Sequence, residues 1–269
     1  IIRETTGRLG RELNVRGLMN IQYAVKDESV YVLEVNPRAS RTVPFVSKTI
    51  GVSLAKIATR VMVGRTLEEL GFMEEPVIHY YSVKEAVLPF NKFPGCTIQL
   101  GPEMRSTGEV MGIDRDYATA FAKSQSAASG DLPLQGAVFV SIADKDKPDA
   151  IEMVRQLGEA GYTLYATEGT ADLVRGLGLE ATVVPKRLSA EHPNVVDIIR
   201  DQSVQLVVNT PEGRRGAVRD GFHIRRAAVE TRIPLFSSID TALHAVRSLI
   251  SRRSDYSVLT MQEHTPDDT

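Results

Sequence analysis

The sequence predicts an α/β protein in two parts, a partial α+β domain followed by an open, doubly wound parallel sheet of five strands. Three observations predict it. Between residues 137 and 251, short apolar, β-branched runs alternate with helical patterns five times, and successive βα units imply a parallel sheet with helices on both faces. Between 17 and 35, two β-branched runs flank a short polar turn, the signature of a hairpin. Between these regions the stretch SQSAASGDLPLQG at 124–136 is the clearest shift in composition, small and polar with a proline. It sets the expected organisation: a first domain over 1–125, a linker at 126–136 and a second domain over 137–269.

With 269 residues, 42% apolar and 25% charged residues and a net charge of -2, the chain belongs among soluble globular proteins with no electrostatic reason to seek nucleic acid or a membrane. The single cysteine, Cys96, excludes an internal disulfide and a cysteine-rich metal site, suits a reducing cytoplasm and reads as structural. No apolar run approaches the ~20 residues of a membrane helix. The first residue is not methionine and no signal-peptide profile follows, so the chain is expected to begin in mid-protein. His79, His192, His223, His244 and His264 are scattered without metal-ligand spacing.

Taken in order, residues 1–16 read as an amphipathic helix with Ile2, Leu9 and Leu13 on one side. The run 17–26 reads as a strand carrying Gln22, 26–29 as the hairpin turn, and 30–35 as a buried apolar strand interrupted by Glu34. Glu34 and Asn36, two apart on a strand, point to one face. There a carboxylate and an amide oxygen can share a hard divalent cation, with Gln22 on the partner strand as a third oxygen. Pro37 ends the strand, and Arg38 and Arg41 follow at once as phosphate contacts. The plainer alternative is a solvated acid beside an Asn-Pro turn. Helices are expected at 52–63 and, more briefly, at 67–70. A strand follows at 80–88, in which Lys84 and Glu85 suit a cross-strand charge pair, then a loop at 103–106 and a helix at 117–126.

In the second part, strands are expected at 137–142, 163–166, 181–185, 204–209 and 233–236, and helices at 149–160, 171–177, 195–201, 214–231 and 241–251. Ligands of such sheets sit at the carboxyl ends of the strands. Those ends offer Ser141 and Lys147, then Thr167 to Thr170, Lys186, Asn209 with Thr210, and Ser237 with Ser238. These are hydroxyls, amides and lysines, with no adjacent nucleophile and base. Thr167 to Thr170 also opens a helix, whose N–H groups and dipole favour an anion. Each such residue taken singly also reads as a helix cap. The tail 261–269 is polar and acidic and is expected to fray.

GLMNIQYAV, YVLEVNPRASRTVPFVSKTIG, YYSVKEAVLPFNKFPG and LGPEMRSTGEVMG resemble the carbamoyl-phosphate-forming half of the large subunit of carbamoyl phosphate synthetase, an ATP-grasp enzyme. LYATEGTADLV resembles the methylglyoxal-synthase-like domain that serves this family as a regulatory domain. The resemblance implies a partial ATP-grasp domain followed by a Rossmann-like effector domain. It implies ATP and Mg²⁺ or Mn²⁺ held by Gln22, Glu34 and Asn36, with Arg38 and Arg41 as catalytic contacts to phosphate or carbamate. The family's glycine-rich phosphate loop and adenine-side lysine are expected upstream of residue 1. UMP or IMP is the implied effector, at Ser141, Lys147, Thr167, Thr170, Lys186, Asn209, Ser237 and Ser238, and ornithine the implied activator near Glu85. In methylglyoxal synthase a catalytic aspartate stands in a Gly-Gly-Asp-Gln stretch, but the matching region here, KRLSAEHPNV at 186–195, lacks it. Pro211 and Glu212 also stand where the family commonly has another hydroxyl residue, and an added negative charge would weaken phosphate binding.

Two functions are therefore expected of the sequence. One is part of a glutamine-hydrolysing, ATP-dependent carbon–nitrogen ligase of pyrimidine and arginine biosynthesis, with a glutaminase small subunit as partner, in the cytoplasm. The other is a stand-alone phosphate-binding regulatory module without catalysis. The sequence leaves the oligomeric state open, a homo-oligomer included.

Overall fold

The computed structural model describes residues 1–93, 96–186, 192–211, 215–251 and 258–264, with backbone alone at 215–219 and 262. The chain divides into two compact units, Ile1–His79 with Val258–Thr269, and Tyr80–Ser257. The composition shift at 124–136, with the linker expected at 126–136, thus lies inside the second unit.

In the first unit, α1 (Ile2–Glu12) precedes an antiparallel hairpin of β1 (Asn20–Lys26) and β2 (Ser29–Asn36). Asp27 and Glu28 both take positive φ, 49° and 64°, the two-residue geometry whose twist matches that of the flanking strands. Tyr23 of β1 shares a 2.8 Å hydrogen bond with Thr6 of α1. The run expected to be buried is not: Tyr31, Val32 and Leu33 are exposed, Leu33 by 65%. The sheet has only two strands, and the apolar pattern that signals burial has no cover among the described residues.

Next come α2 (Thr42–Thr49) and α3 (Leu54–Met62). The sequence did not suggest α2, because Pro44 stands in it. Pro44 falls in the first turn, where the absent N–H has no intrahelical acceptor to lose. The short helix expected at 67–70 is instead a turn, closed by Leu70 N donating to Thr66 O and ended by Gly71 at φ 62°. The tail expected to fray forms a helical turn at Met261–His264. It is opened by a reciprocal cap in which Thr260 N donates to Glu263 Oε2 (2.6 Å) and Glu263 N to Thr260 Oγ1 (3.4 Å). Residues 265–269 lie outside those described.

The second unit begins with β3 (Tyr81–Val87) paired to β4 (Gly108–Asp114), under α4 (Tyr117–Ser129). Asp116 caps α4 through Thr119 N at 2.8 Å. The absence of a side chain at Gly112 lets α4 lie against β4: a Cβ there would collide with the Ala120 carbonyl oxygen and come 2.6 Å from Ser124 N. Lys84 makes the cross-strand ion pair, but with Glu109 of β4 at 2.9 Å, while Glu85 faces the other way. Cys96, in the loop before β4, is exposed rather than packed.

The sheet follows: β5 (Ala137–Ser141), α5 (Lys147–Glu159), β6 (Thr163–Ala166), α6 (Glu168–Gly176), β7 (Thr182–Val183), α7 (Val195–Arg200), β8 (Leu206–Asn209), α8 (Arg215–Glu230), β9 (Leu235–Phe236) and α9 (Ile239–Ser251). All strands are parallel, in the order β7-β6-β5-β8-β9. The alternation along each strand feeds two cores. Val138, Val140, Leu206 and Val208 pack with α5, α6 and α9, and Phe139 and Val207 with α7 and α8, which makes the sheet doubly wound. Phe121 of α4 belongs to the first core, and Ser248 Oγ of α9 donates to Ala118 O of α4 at 2.8 Å. The β3–β4–α4 layer is therefore continuous with the sheet domain.

Candidate functional site

Three places gather the predicted residues. The first is the hairpin end. Gln22 stands directly opposite Glu34 in the β1–β2 ladder, and Asn20 opposite Asn36. Cross-strand partners and residues two apart share a face, so one carboxylate and three amides lie together there. Asn20, which the sequence reading did not single out, joins them by register alone. The Asn36 amide nitrogen donates to Glu34 Oε1, leaving Asn36 Oδ1 as that amide's acceptor. Arg38 follows with its backbone N–H on Asn36 O (2.8 Å) and its guanidinium on Ala39 O (3.0 Å). Arg41 leads into α2, and both arginines are exposed. No cluster of three or more His, Cys, Asp or Glu occurs among the described residues, so a cation here would have to be held by one carboxylate and amide oxygens. That donor set fits a hard divalent ion that completes its coordination with phosphate and water.

The second place is a pocket of about 630 Å³ at the carboxyl ends of β5, β6 and β7, lined by Ser141, Lys147, Thr167, Thr170 and Lys186 among others. Thr167 Oγ1 lies 3.4 Å from Ser141 Oγ and 3.3 Å from Thr170 Oγ1, and Thr170 Oγ1 accepts from Ile142 N at 3.0 Å. Lys147 pairs with Asp144 at 2.7 Å, and its ammonium would be 3.4 Å from a Cβ on Gly169 in the opening turn of α6. A cation above the positive end of a helix dipole favours an anion between them.

The third is a larger cleft, about 710 Å³, whose lining includes Glu85, Asn209, Arg225, Ser237 and Ser238, and Lys186 again. The strand ends thus serve two cavities rather than one. With β5 in the middle of the sheet, the ends of β6 and β7 fall to one side and those of β8 and β9 to the other. Asn209 is 1% exposed and its amide is already engaged. Its Oδ1 accepts from Arg225 Nη1 at 2.8 Å and its Nδ2 donates to Ser141 O at 3.4 Å. Burial holds the Glu85 carboxyl above its ordinary range, against a 2.6 Å hydrogen bond from Gln125 that works the other way. Burial also lowers the Arg225 guanidinium. Pro211 lines this cleft, while Glu212 lies outside the described residues.

Comparison with known proteins agrees with these two halves. The family model for the carbamoyl-phosphate synthase L chain ATP-binding domain matches residues 1–70, and that for the MGS-like domain matches residues 149–237. A protein of Methanocaldococcus jannaschii named carbamoyl phosphate synthase large chain, C-terminal section, is 46% identical over 269 residues, covering 96% of this chain and 43% of its own length. The chain belongs to the carbamoyl phosphate synthase large-chain family. Large chains of Synechocystis sp. and Nostoc sp. are 49% and 50% identical across 96% and 98% of this chain, which spans 24% of each. As a member of that family it carries the hairpin within the ATP-binding match, and α5 from Asp149 on through β9 within the MGS-like match. No helix among the described residues is long and apolar enough to cross a membrane.

Proposed function

We propose that this chain supplies the metal and phosphate side of an ATP-dependent carbamoyl-phosphate-forming site, together with a regulatory domain that binds a phosphorylated nucleotide. One observation carries the first half: the register that sets Gln22 against Glu34 and Asn20 against Asn36, with Arg38 and Arg41 directly after the strand. Glu34, Gln22 and Asn36 would hold Mg²⁺ or Mn²⁺, which when bound neutralises charge on the nucleotide phosphates. Arg38 and Arg41 present guanidinium forks suited to phosphoryl or carbamate oxygens. The ATP-binding family match lends the reading its substrate, ATP, and the resemblance of the sequence motifs extends it to a glutaminase partner subunit and the synthesis of pyrimidines and arginine. The test is made in a polypeptide of the relatives' full length, measuring carbamoyl phosphate formation with Mg-ATP. Glu34→Ala is expected to lower kcat roughly a hundredfold or more, as removal of a ligand to phosphate-bridging metal does. Wild-type rates would reduce Glu34 to a solvated acid.

The regulatory half is supported by the pocket of hydroxyls and Lys147 at the opening of α6. UMP or IMP is the proposed effector, and in the neighbouring cleft the half-buried Glu85 suits the amine of an amino-acid activator such as ornithine. Taken alone, the chain would act as a phosphate-binding module without catalysis. Calorimetric titration with UMP, IMP and inorganic phosphate tests this half, and Lys147→Ala and Lys186→Ala should each weaken the ligand that binds. No binding at millimolar concentration would end the regulatory reading.

A further inference from the structure

The sheet order reverses between β5 and β8, with Ser141 and Asn209 paired across that gap. Open α/β sheets hold ligands at such a switch point. Here a short chain of hydrogen bonds crosses it. Arg225 Nη1 donates to Asn209 Oδ1, and Asn209 Nδ2 donates to Ser141 O, which also accepts from Thr210 N at 3.1 Å. Thr210 Oγ1 in turn accepts from Ala143 N at 2.8 Å. Ser141 lines the strand-end pocket, whereas Arg225 lines only the cleft on the other side.

We infer that Arg225 is a positioning residue for the strand-end pocket. It holds Asn209, and through Asn209 the Ser141 end of β5, in the arrangement that receives a phosphorylated ligand. Donor and acceptor roles fix the arrangement. A guanidinium has donors only, so the atom of the Asn209 amide that faces it must be the oxygen. The amide nitrogen is then obliged to face Ser141 O, where it is a donor to a carbonyl. Ser141 O favours the same orientation, since a flipped amide would set oxygen against oxygen there, but without Arg225 the buried Oδ1 of Asn209 loses the donor that holds it. A buried amide with an unmet group costs the strand end its order. Arg225 itself is half-buried, and no carboxylate among the described residues pairs with it, so its hydrogen bond to Asn209 is the interaction that places it. Room for that bond is left by Gly221, whose Cβ would stand 2.9 Å from Arg225 Nη1 and 3.4 Å from Asn209 Oδ1.

The inference rests on the effector reading of the pocket, and the experiment separates the two. Inorganic phosphate and UMP are titrated calorimetrically into the 269-residue chain and into Arg225→Met, Asn209→Ala, the double variant and Gly221→Ala, with the thermal midpoint of each as a folding control. Arg225→Met is expected to bind roughly threefold to tenfold more weakly, within the range for losing one ordinary hydrogen bond, since the guanidinium acts at one remove from the ligand. Gly221→Ala, which keeps both side chains but crowds the bond between them, should show a loss of the same sign. In the Asn209→Ala background, Arg225→Met should have no further effect, because a residue acting through another is silent once its intermediary is gone. Equal losses with and without Asn209 would mean that the guanidinium acts on the anion itself, which overturns the positioning role. So would wild-type affinity in both Arg225→Met and Gly221→Ala. Failure of the wild type to bind either probe would overturn the effector reading and this inference with it.

Discussion

The ammonium of Lys147 lies 2.7 Å from the carboxylate of Asp144, at the mouth of the pocket in which an anion would replace that carboxylate as its partner. Asp144 would then act as an internal competitor. Its side chain is 79% exposed, so solvent screens the pair and its removal is a small effect. Asp144→Asn should bind inorganic phosphate about twofold to fivefold more tightly, by calorimetry at low salt, as expected for losing a surface ion pair. Weaker binding would show that Asp144 helps to orient Lys147.

Glu85 provides a pH test. Burial raises its pKa, so the folded protein holds this proton more tightly than the unfolded chain does. The stability it contributes is fully present below the unfolded value and is lost as pH rises through the folded one. Glu85→Gln keeps a group able to bond Gln125 and removes the charge. Its thermal midpoint should therefore exceed that of the wild type near pH 8, and the gap should close as the pH approaches about 4. A gap that does not change with pH would mean that Glu85 is adequately solvated where it stands.

Gly112→Ala should be among the most damaging small substitutions in the second unit. The new methyl has backbone, not a flexible side chain, in its way, so α4 must lift from β4. A loss on the order of 3 kcal/mol in denaturant unfolding is expected. A loss under about 0.5 kcal/mol, the range of an inconsequential surface change, would mean that the helix can shift at little cost.

The 269-residue chain by itself is expected to form no carbamoyl phosphate from carbamate and Mg-ATP, because Gln22 and Glu34, proposed as metal ligands, stand exposed on a two-stranded hairpin with nothing among the described residues enclosing a nucleotide base over them. A coupled assay with purified protein checks this, and steady turnover would contradict it.

Much of the parallel sheet was legible in the sequence because its strands are short, mostly apolar runs with polar residues at their ends; the bounds 163–166 match β6 to the residue. Strand order was not legible. Periodicity places hydroxyls and amides at the strand ends but does not say that β5 lies in the middle, and so it merged two cavities into one. The strand β4 escaped notice because its two glycines and the acids Glu109 and Asp114 within it lower its β character, although Gly112 marks where a helix comes close. At the hairpin the same-face placement of Glu34 and Asn36 follows from the strand period alone. Asn20 needed the register, and Tyr31 to Leu33 misled because an apolar pattern reports what a surface seeks, not whether this chain provides it.

The bond from Ser248 to Ala118 and the insertion of Phe121 into the sheet's core bear on modularity. A gene fragment begun at residue 137, where the change in composition invites a cut, would strip a helix from the face of α9 and leave an apolar scar open to aggregation. One begun at residue 80 keeps that helix and the two strands it covers. The seam at which this protein can be shortened or recombined lies at residue 80, about fifty residues before the place where its composition changes.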